Sequence, residues 1–353
     1  MSGYSPQHDS LRIALCSLYL PGSSKQGVGY QVEALASALA RRGHDTTLFS
    51  PDRPSDNVET PYRYVHPGGR LRTFGFAYAL RREAFDAFDV VHAHGDDYWL
   101  TKRHTRAHIR TMHGSCFDEA LRIRGAKERL RMTLLGMSEV TATAVADKTV
   151  AVSRATRRWY PWIKTVIPNG VDLSTFTPGI ARDERPTILF VGTYQRRKRG
   201  KLLMELFEQT VRPAVPDAQL WMVCDDAPSA PGVSVFGRVS DEELRSLYQR
   251  AWAFCLPSTY EGFGVPYIEA MASGTPVVAS PNVGAKEVTD NGRYGLVVPD
   301  DGLGQALVDL LGDEPRRKQM AADALTWVQQ YDWPNVVAQY EVVYRDVIAK
   351  RQR

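Results

Sequence analysis

Along the chain, short runs of consecutive apolar residues alternate with longer stretches whose apolar positions recur every three to four residues. The first run, LRIALCSL (residues 11–18), is followed by a glycine-rich polar segment, PGSSKQGVGYQ. Val32, Leu35, Ala36 and Leu39 then fall at helical spacing before Gly43. Short apolar runs bounded by turn formers predict buried strands, and a period near 3.6 predicts helix. This opening therefore reads as strand, glycine loop, helix. HDTTLFS (44–50), DVVHAHG (89–95), IRTMHGS (109–115), KTVAVS (148–153) and TVIPNG (165–170) read as further buried strands that end in polar or glycine-rich turns.

The pattern then restarts. After the proline-bearing, charged stretch LSTFTPGIARDERP (173–186) come TILFVGT, AQLWMVC, VSVFG, AWAFCLPS, TPVVAS and GLVVP, each separated from the next by a turn or a helical segment. Strands alternating with helices imply parallel sheets covered on both faces. The expected fold is therefore α/β, with two doubly wound domains: 1–170, and 171–353. Sheets of this kind bind ligands at the carboxyl ends of their strands, so two such units facing each other would form a cleft. In the last segment, WVQQYDWPNVVAQYEVVYRDVIAK, Pro334 should break or kink the helix. A final helix, about 335–353, could then turn back onto the N-terminal domain.

Length agrees with two domains, since 353 residues exceed what one hydrophobic core usually organises. The polar start MSGYSPQHDS has no basic-then-apolar leader, and no apolar run is long enough to span a bilayer, which points to a cytoplasmic protein. Cys16, Cys116, Cys224 and Cys255 are far apart and form no C-x-x-C pair, which suits core thiols better than a disulfide frame or a metal site.

Charge is uneven. Residues 1–182 hold 25 Lys+Arg against 17 Asp+Glu, and the remainder 19 against 23. Much of the excess lies in 102–131, where Lys102, Arg103, Arg106, Arg110, Arg122, Arg124, Lys127, Arg129 and Arg131 accumulate. This stretch is either a solvated helical face or a surface for phosphates, an anionic acceptor or the inner face of a membrane. It lacks interleaved aromatics and any nucleic-acid motif, so nucleic acid is not an expected partner.

The most informative stretch is STYEGFGVPYIEAMASGTPVV (258–278), in which two carboxylates are separated by seven residues. Gly262 and Gly264 permit tight or left-handed turns, and Pro266 suits a first helical turn. Glu261 should lie before the helix and Glu269 inside it, with Val265 at the junction. Between the carboxylates the helix start offers free N–H groups and a favourable dipole, a ready anion site. A diphosphate bound there would have a hydroxyl-accepting carboxylate on each side, which suits a nucleotide sugar. A glycosidase would instead need its two carboxylates across one scissile bond. The plainer alternative is an ordinary helix start with Glu269 as a first-turn charge. Glu287, after the glycine turn in PNVGAKEV, adds a third acid at a similar junction.

These residues carry a resemblance. PSTYEGFGVPYIEAMASGTPVVAS resembles the Glu, seven residues, Glu signature of the family-four retaining glycosyltransferases, which have the GT-B fold of two facing Rossmann-like domains. KQGVGYQVEALASALARRGHDTTLFS resembles that family's N-terminal glycine loop and first helix. DVVHAHG and TMHGS resemble its central strands, and VIPNGVDLSTFTPG its interdomain connection.

The resemblance implies roles. Glu261 would hold donor-sugar hydroxyls, Gly262, Phe263, Gly264 and Val265 would line sugar and phosphate, and Glu269 would take the ribose. In VGTYQRRKRGKLL, Arg197 and Lys198 would bind the diphosphate, although glycine follows one residue later than usual and Arg199 stands as an alternative to Lys198. His113 would lie near the reacting sugar, and Gly27 and Gly29 would approach the phosphates or the acceptor.

The implied activity is retaining transfer of a hexose or N-acetylhexosamine from a nucleoside diphosphate sugar, UDP-linked before GDP-linked, to a hydroxyl of a sugar, glycoside, natural-product scaffold or glycolipid. The departing phosphate would take the acceptor's proton. No metal is expected, since cations neutralise the leaving group and no D-x-D motif is present; His92 and His94 alternate on a strand without a third ligand. Tyr98, Trp99, Trp159, Tyr160 and Trp162 could shape an apolar acceptor slot. The competing readings are a nucleotide-sugar epimerase or hydrolase on the same fold, and a noncatalytic sugar-nucleotide-binding protein.

Overall fold

The computed structural model describes residues 10–23, 27–56, 58–68, 71–101, 104–123 and 125–353. The chain forms two compact units, one of residues 1–170 and 333–353 and the other of 171–332. The second unit therefore closes at Asp332, short of the chain's end.

The first unit runs β1 (Arg12–Cys16), α1 (Gly27–Arg41), β2 (Asp45–Ser50), β3 (Tyr62–Tyr64), α2 (Arg72–Leu80), β4 (Val90–Ala93), β5 (His108–Met112), α3 (Cys116–Arg122), α4 (Ala126–Val145), β6 (Lys148–Ala151) and β7 (Thr165–Val166). Its sheet has the order β3-β2-β1-β4-β5-β6-β7, parallel throughout. Successive side chains of a strand face opposite ways, and β1 fills two cores accordingly. Ile13 and Leu15 join Val32, Leu35 and Leu39 of α1, while Ala14 and Cys16 join Phe49, Phe76, Phe85 and Phe88. Burial on both faces explains why the strand reads as a continuous apolar run rather than an alternating one. β3, with the sequence YRY, was not among the expected strands; it is an exposed edge strand whose polar pattern carries no apolar signal.

The second unit runs β8 (Thr187–Val191), α5 (Gly200–Leu206), α6 (Arg212–Ala214), β9 (Gln219–Val223), β10 (Val233–Val235), α7 (Asp241–Arg250), β11 (Ala253–Leu256), α8 (Val265–Ala272), β12 (Val277–Ala279), α9 (Val283–Val288), β13 (Leu296–Val297), α10 (Asp300–Gly312) and α11 (Glu314–Val328). Its sheet order is β10-β9-β8-β11-β12-β13, again all parallel.

The chain then returns to the first unit as α12 (Trp333–Arg351). Pro334 occupies the first turn of α12, where its missing N–H had no helical partner to lose. Trp333, Val336, Val337, Tyr340 and Tyr344 are buried in the cluster that contains Ile13, Leu15 and Leu35. Each such side chain contributes roughly 1.5–3 kcal/mol of burial. The Trp333 ring lies over Gly170, where a Cβ would come within 2.5 Å of it. Glu341 of α12 accepts from Arg42 at 2.7 Å and pairs with His44 at 3.0 Å.

Two expectations need correction. The basic stretch 102–131 is not one helical face: Arg110 lies on β5 and is buried against Asp97, and Arg106 sits before β5, 3.6 Å from Asp89. Lys102, Arg103 and Arg124 lie outside the described residues. The four cysteines are free, as core thiols would be, but Cys116 is only half-buried and its Sγ–H donates to Glu139 at 3.2 Å.

Candidate functional site

In a doubly wound sheet the crevice opens where the strand order reverses, because the loops leaving the two neighbouring strands diverge to opposite faces. In the second unit that point lies between β8 and β11. The loop after β8 carries Arg197, Lys198 and Arg199, and the loop after β11 carries Ser258 to Gly264. The two loops are stitched together: the Arg197 carbonyl accepts from the Thr259 N–H at 3.0 Å and from the Ser258 hydroxyl at 3.1 Å.

Glu261, buried within its loop, meets both candidate phosphate cations. Its Oε2 lies 2.8 Å from Arg197 Nη1, and its Oε1 lies 2.8 Å from Lys198 Nζ. Arg197 also donates to the Tyr260 carbonyl. Burial pushes the Glu261 carboxyl up, but Lys198 and Arg197 overcome that push and leave it below the ordinary carboxylate value. Burial likewise pushes the Lys198 ammonium down, against the pull of Glu261.

Arg199 behaves differently. It adopts a left-handed conformation, φ 54°, as the residue before α5, and its guanidinium grips Asp300 at 2.6 and 2.9 Å. Asp300 also accepts from Ser280 at 2.7 Å. Of the two alternatives for the second cation, Lys198 therefore shares a carboxylate with Arg197, while Arg199 ties the site's base to α10. A cleft of about 520 Å3 opens beside that clamp, lined by Arg199, Thr259, Ser280, Pro281, Asp300 and Asp301.

Gly264 precedes α8 with φ 102°, a conformation that L side chains rarely adopt, and a Cβ there would also meet the Tyr267 ring at 2.5 Å. Pro266 brings no N–H to the first turn of α8 and the Tyr267 N–H donates to the Gly264 carbonyl at 3.0 Å, so the helix start offers fewer free N–H groups than the sequence suggests. Val265 begins the helix, Pro266 follows it, and Gly262 is half-buried. Phe263 turns inward, its ring edge-on to Tyr331 at 5.5 Å. Gly284 of α9 supports the loop from behind: a Cβ there would lie 2.6 Å from the Glu261 Cβ and 2.6 Å from the Phe263 carbonyl.

Glu269, one turn into α8, accepts from the Tyr248 hydroxyl at 3.0 Å. Burial lifts its carboxyl to about 7, with Tyr248 and Lys198 opposing the shift. Glu287 lies on α9.

His113, Gly27 and Gly29 belong to the first unit, whose strand order reverses between β1 and β4. His94 sits at the end of β4 and its Nδ1 lies 2.9 Å from His113 Nε2, the rings 5.2 Å apart and nearly parallel. Burial, followed by Arg110, lowers His113 to about 4. His92 lies against His94, with ring centroids 4.2 Å apart, and its nitrogens meet the Tyr344 and Thr111 hydroxyls at 2.8 and 2.7 Å. Burial lowers His92 to about 3. Both His92 nitrogens are thus engaged by hydroxyls. Among the described residues no set of three His, Cys, Asp or Glu side chains is placed to hold a metal ion. Gly27 opens α1 at the surface. Gly29 is buried in its first turn, where a Cβ would lie 2.9 Å from the Tyr19 carbonyl.

The aromatic residues expected to shape one slot fall into two groups. Tyr98 and Trp99 pack on Phe74, whereas Trp159 and Tyr160 pack on Phe117 with Trp162 edge-on to Tyr160. Sequence reasoning missed Tyr248, Asp300, Gly284 and Asn282. Asn282 donates to the Ser258 carbonyl at 3.1 Å while capping α9. Only Asn282 had a local signal, an N-cap residue before the run VGAKEV; the others are recognisable solely by what they touch.

Residues 25–175 match the family model described as Glycosyltransferase Family 4, and residues 185–313 match that described as Glycosyl transferases group 1. The chain is 28% identical to a phosphatidyl-myo-inositol mannosyltransferase of Mycolicibacterium smegmatis, over 91% of this chain and 90% of that one. It is 29% identical to a D-inositol 3-phosphate glycosyltransferase of Kineococcus radiotolerans, over 96% of each. Among solved structures it resembles a sucrose-phosphate synthase from Thermosynechococcus elongatus, with a TM-score of 0.79 at 23% identity, covering 96% of this chain and 100% of that one. That similarity speaks for the fold alone.

Proposed function

This chain belongs to the family-four glycosyltransferases of GT-B fold, and from that premise we propose that it transfers a hexose, with retention, from a nucleoside diphosphate sugar to a hydroxyl of a phosphorylated cyclitol or a lipid that carries one. The single observation behind the donor assignment is the pair of cations on Glu261 at the switch point of the second unit. The acceptor class is supported by the names of the two relatives, one for phosphatidyl-myo-inositol and the other for D-inositol 3-phosphate.

In this reading the diphosphate takes Arg197, Lys198 and the start of α8, the ribose hydroxyls take Glu269, and the hexose hydroxyls take Glu261. The bond between sugar C1 and the phosphate oxygen breaks with its electron pair passing to the diphosphate. The acceptor oxygen bonds to C1 on the same face, and its proton passes to the departing phosphate. The chain's part is to stabilise the charge growing on that phosphate and to hold the partners in place. His113, held neutral by burial and Arg110, brings a dipole rather than a positive charge. No side-chain base and no metal enter the scheme, and a UDP-linked donor is preferred to a GDP-linked one.

The test is incubation of the pure protein with labelled UDP- and GDP-hexoses, with and without inositol phosphate. Acceptor-dependent release of nucleotide, with a product of unchanged anomeric configuration by NMR, is the expected result. Acceptor-free isomerisation or hydrolysis would favour the epimerase or hydrolase reading, and binding without turnover the noncatalytic one.

A lipid-borne acceptor draws support from the outer face of α4. Leu130, Leu134 and Met137 follow one another at helical spacing and are 61%, 52% and 59% exposed. Beyond Arg131 the only charged residue of α4 is Glu139, which accepts from the Cys116 N–H and the Tyr160 hydroxyl. Lys127 and Arg129 are exposed at the start of the helix. An apolar stripe with a basic end suits an anionic membrane surface at the cytoplasmic side. No described helix is long and apolar enough to cross a membrane. Sedimentation with vesicles containing anionic lipid should fall on Leu134→Glu and with added salt; indifference to both would remove the membrane contact.

A further inference from the structure

We propose that Glu261 discriminates the sugar-bearing donor from the spent nucleoside diphosphate, claiming the two phosphate cations for itself whenever no sugar hydroxyls are present to occupy it. The inference rests on the donor-site reading above and adds a role in product release.

Each Glu261 oxygen already has a cationic partner at 2.8 Å, so a diphosphate entering the site competes with a carboxylate for Arg197 and Lys198. The side chains of Glu261 and Lys198 are only 7% and 15% exposed, so water compensates a displaced carboxylate poorly. Gly284 packed against the Glu261 backbone leaves the carboxylate little freedom to retreat. It therefore needs new donors when its cations turn to phosphate.

An intact donor supplies them, because its hexose hydroxyls can donate to the carboxylate while its diphosphate takes the cations. The product cannot do so. Once the sugar has left and the terminal phosphate has shed to solvent the proton it took from the acceptor, as a second phosphate pKa of about 6 allows at neutral pH, that phosphate carries an additional negative charge and no hydroxyl donors, so it faces Glu261 as a like charge at short range. The carboxylate then recovers Arg197 and Lys198 and the nucleotide departs. Arg199 supplies the contrast within the same basic run: its charge is spent on Asp300 and the Pro257 carbonyl, outside this exchange.

The decisive measurement is calorimetric titration of wild type and Glu261→Gln with UDP, with GDP and with inorganic pyrophosphate. Removing the carboxylate's charge should tighten binding of the nucleoside diphosphate by roughly tenfold, the scale of one like-charge neighbour at a partly buried site. Stopped-flow dissociation should slow to match. Glu261→Asp, which keeps the charge, should release the nucleotide as readily as wild type. Should Glu261→Gln lose its fold by circular dichroism, Glu261→Ala carries the same expectation. Nucleotide binding that is equal or weaker in the neutral variant overturns the proposal while leaving the donor site intact. Failure of every protein to bind UDP, GDP and pyrophosphate removes the donor-site reading and this proposal together.

Discussion

The two strand-order reversals of this molecule are built from opposite materials. At the one in the second unit, charge meets charge: Arg197 and Lys198 share Glu261, and Arg199 holds Asp300. At the one in the first unit, the histidines are neutral. Burial lowers His92 to about 3, and burial with Arg110 lowers His113 to about 4, while hydroxyls and a neighbouring imidazole occupy their nitrogens. The same doubly wound topology thus supports one reversal lined by partly exposed ion pairs and another lined by buried, neutral imidazoles. Partial exposure separates them, since Arg197 retains 46% of its side-chain surface and can be solvated when unpaired, whereas His92 and Thr111 retain none.

The largest effect that would break this contrast lies in the charged site. Arg197→Ala should lower kcat by about 10²–10³ with a smaller change in KM, because the guanidinium, which already holds the diphosphate, meets the further charge that grows on it as the C1–O bond breaks. An unchanged kcat in steady-state assays would remove that role.

Next comes the packing beneath α12. Gly170→Ala should destabilise the first unit by about 1–3 kcal/mol, since a methyl group meets the buried Trp333 ring. Denaturant unfolding followed by Trp fluorescence measures it, and the donor's Kd at native concentrations should not change.

Acid should separate the two regions. His92, His108 and His113 lie below their ordinary value in the folded chain, so below about pH 6.5 the unfolded chain binds protons that the folded chain refuses. The first unit therefore loses stability as pH falls towards 4. Glu269, raised to about 7, works in the opposite direction: the folded chain holds a proton that the unfolded chain has lost, so this contribution fades as pH rises from about 4.5 through 7. Limited proteolysis at pH 7.5 and 5.5 should show first-unit cleavage sites opening at the lower pH, and second-unit sites opening first would contradict it.

A smaller effect concerns Glu269 in binding. If ribose hydroxyls donate to its ionised form, nucleotide affinity should rise a few-fold between pH 6 and 8, and Glu269→Gln should flatten that profile. The smallest effect belongs to the surface. Glu128→Ala, which removes an exposed pair with Arg131, should leave the thermal denaturation midpoint unchanged within error.

Much of this architecture was readable along the chain, because a strand buried on both faces must be apolar throughout and a helix must show its period. LRIALCSL, TILFVGT and AWAFCLPS each become a central strand for that reason. The loop-and-helix division of EGFGVPYIEAMA was legible too, since a left-handed turn at residue 264 and a proline in the first turn are local requirements. YRY at 62–64 was not, because an edge strand can be polar. Nor could a list of cations say that Arg110 is buried on β5.

The sequence by itself determined the order of strands and helices, the restart into a second sheet, and the placement of one carboxylate before a helix and one inside it, since all of these are properties of neighbours along the chain. Tertiary structure alone decided that Glu261 would hold Arg197 and Lys198 while Arg199 went to Asp300, that Tyr248 would meet Glu269, and which side chains α12 would bury on its expected return to the first unit. These pairings join residues 21 to 101 positions apart, or pack a helix against side chains from before the second unit. They depend on which loops the sheet brings side by side, a property that no local pattern encodes.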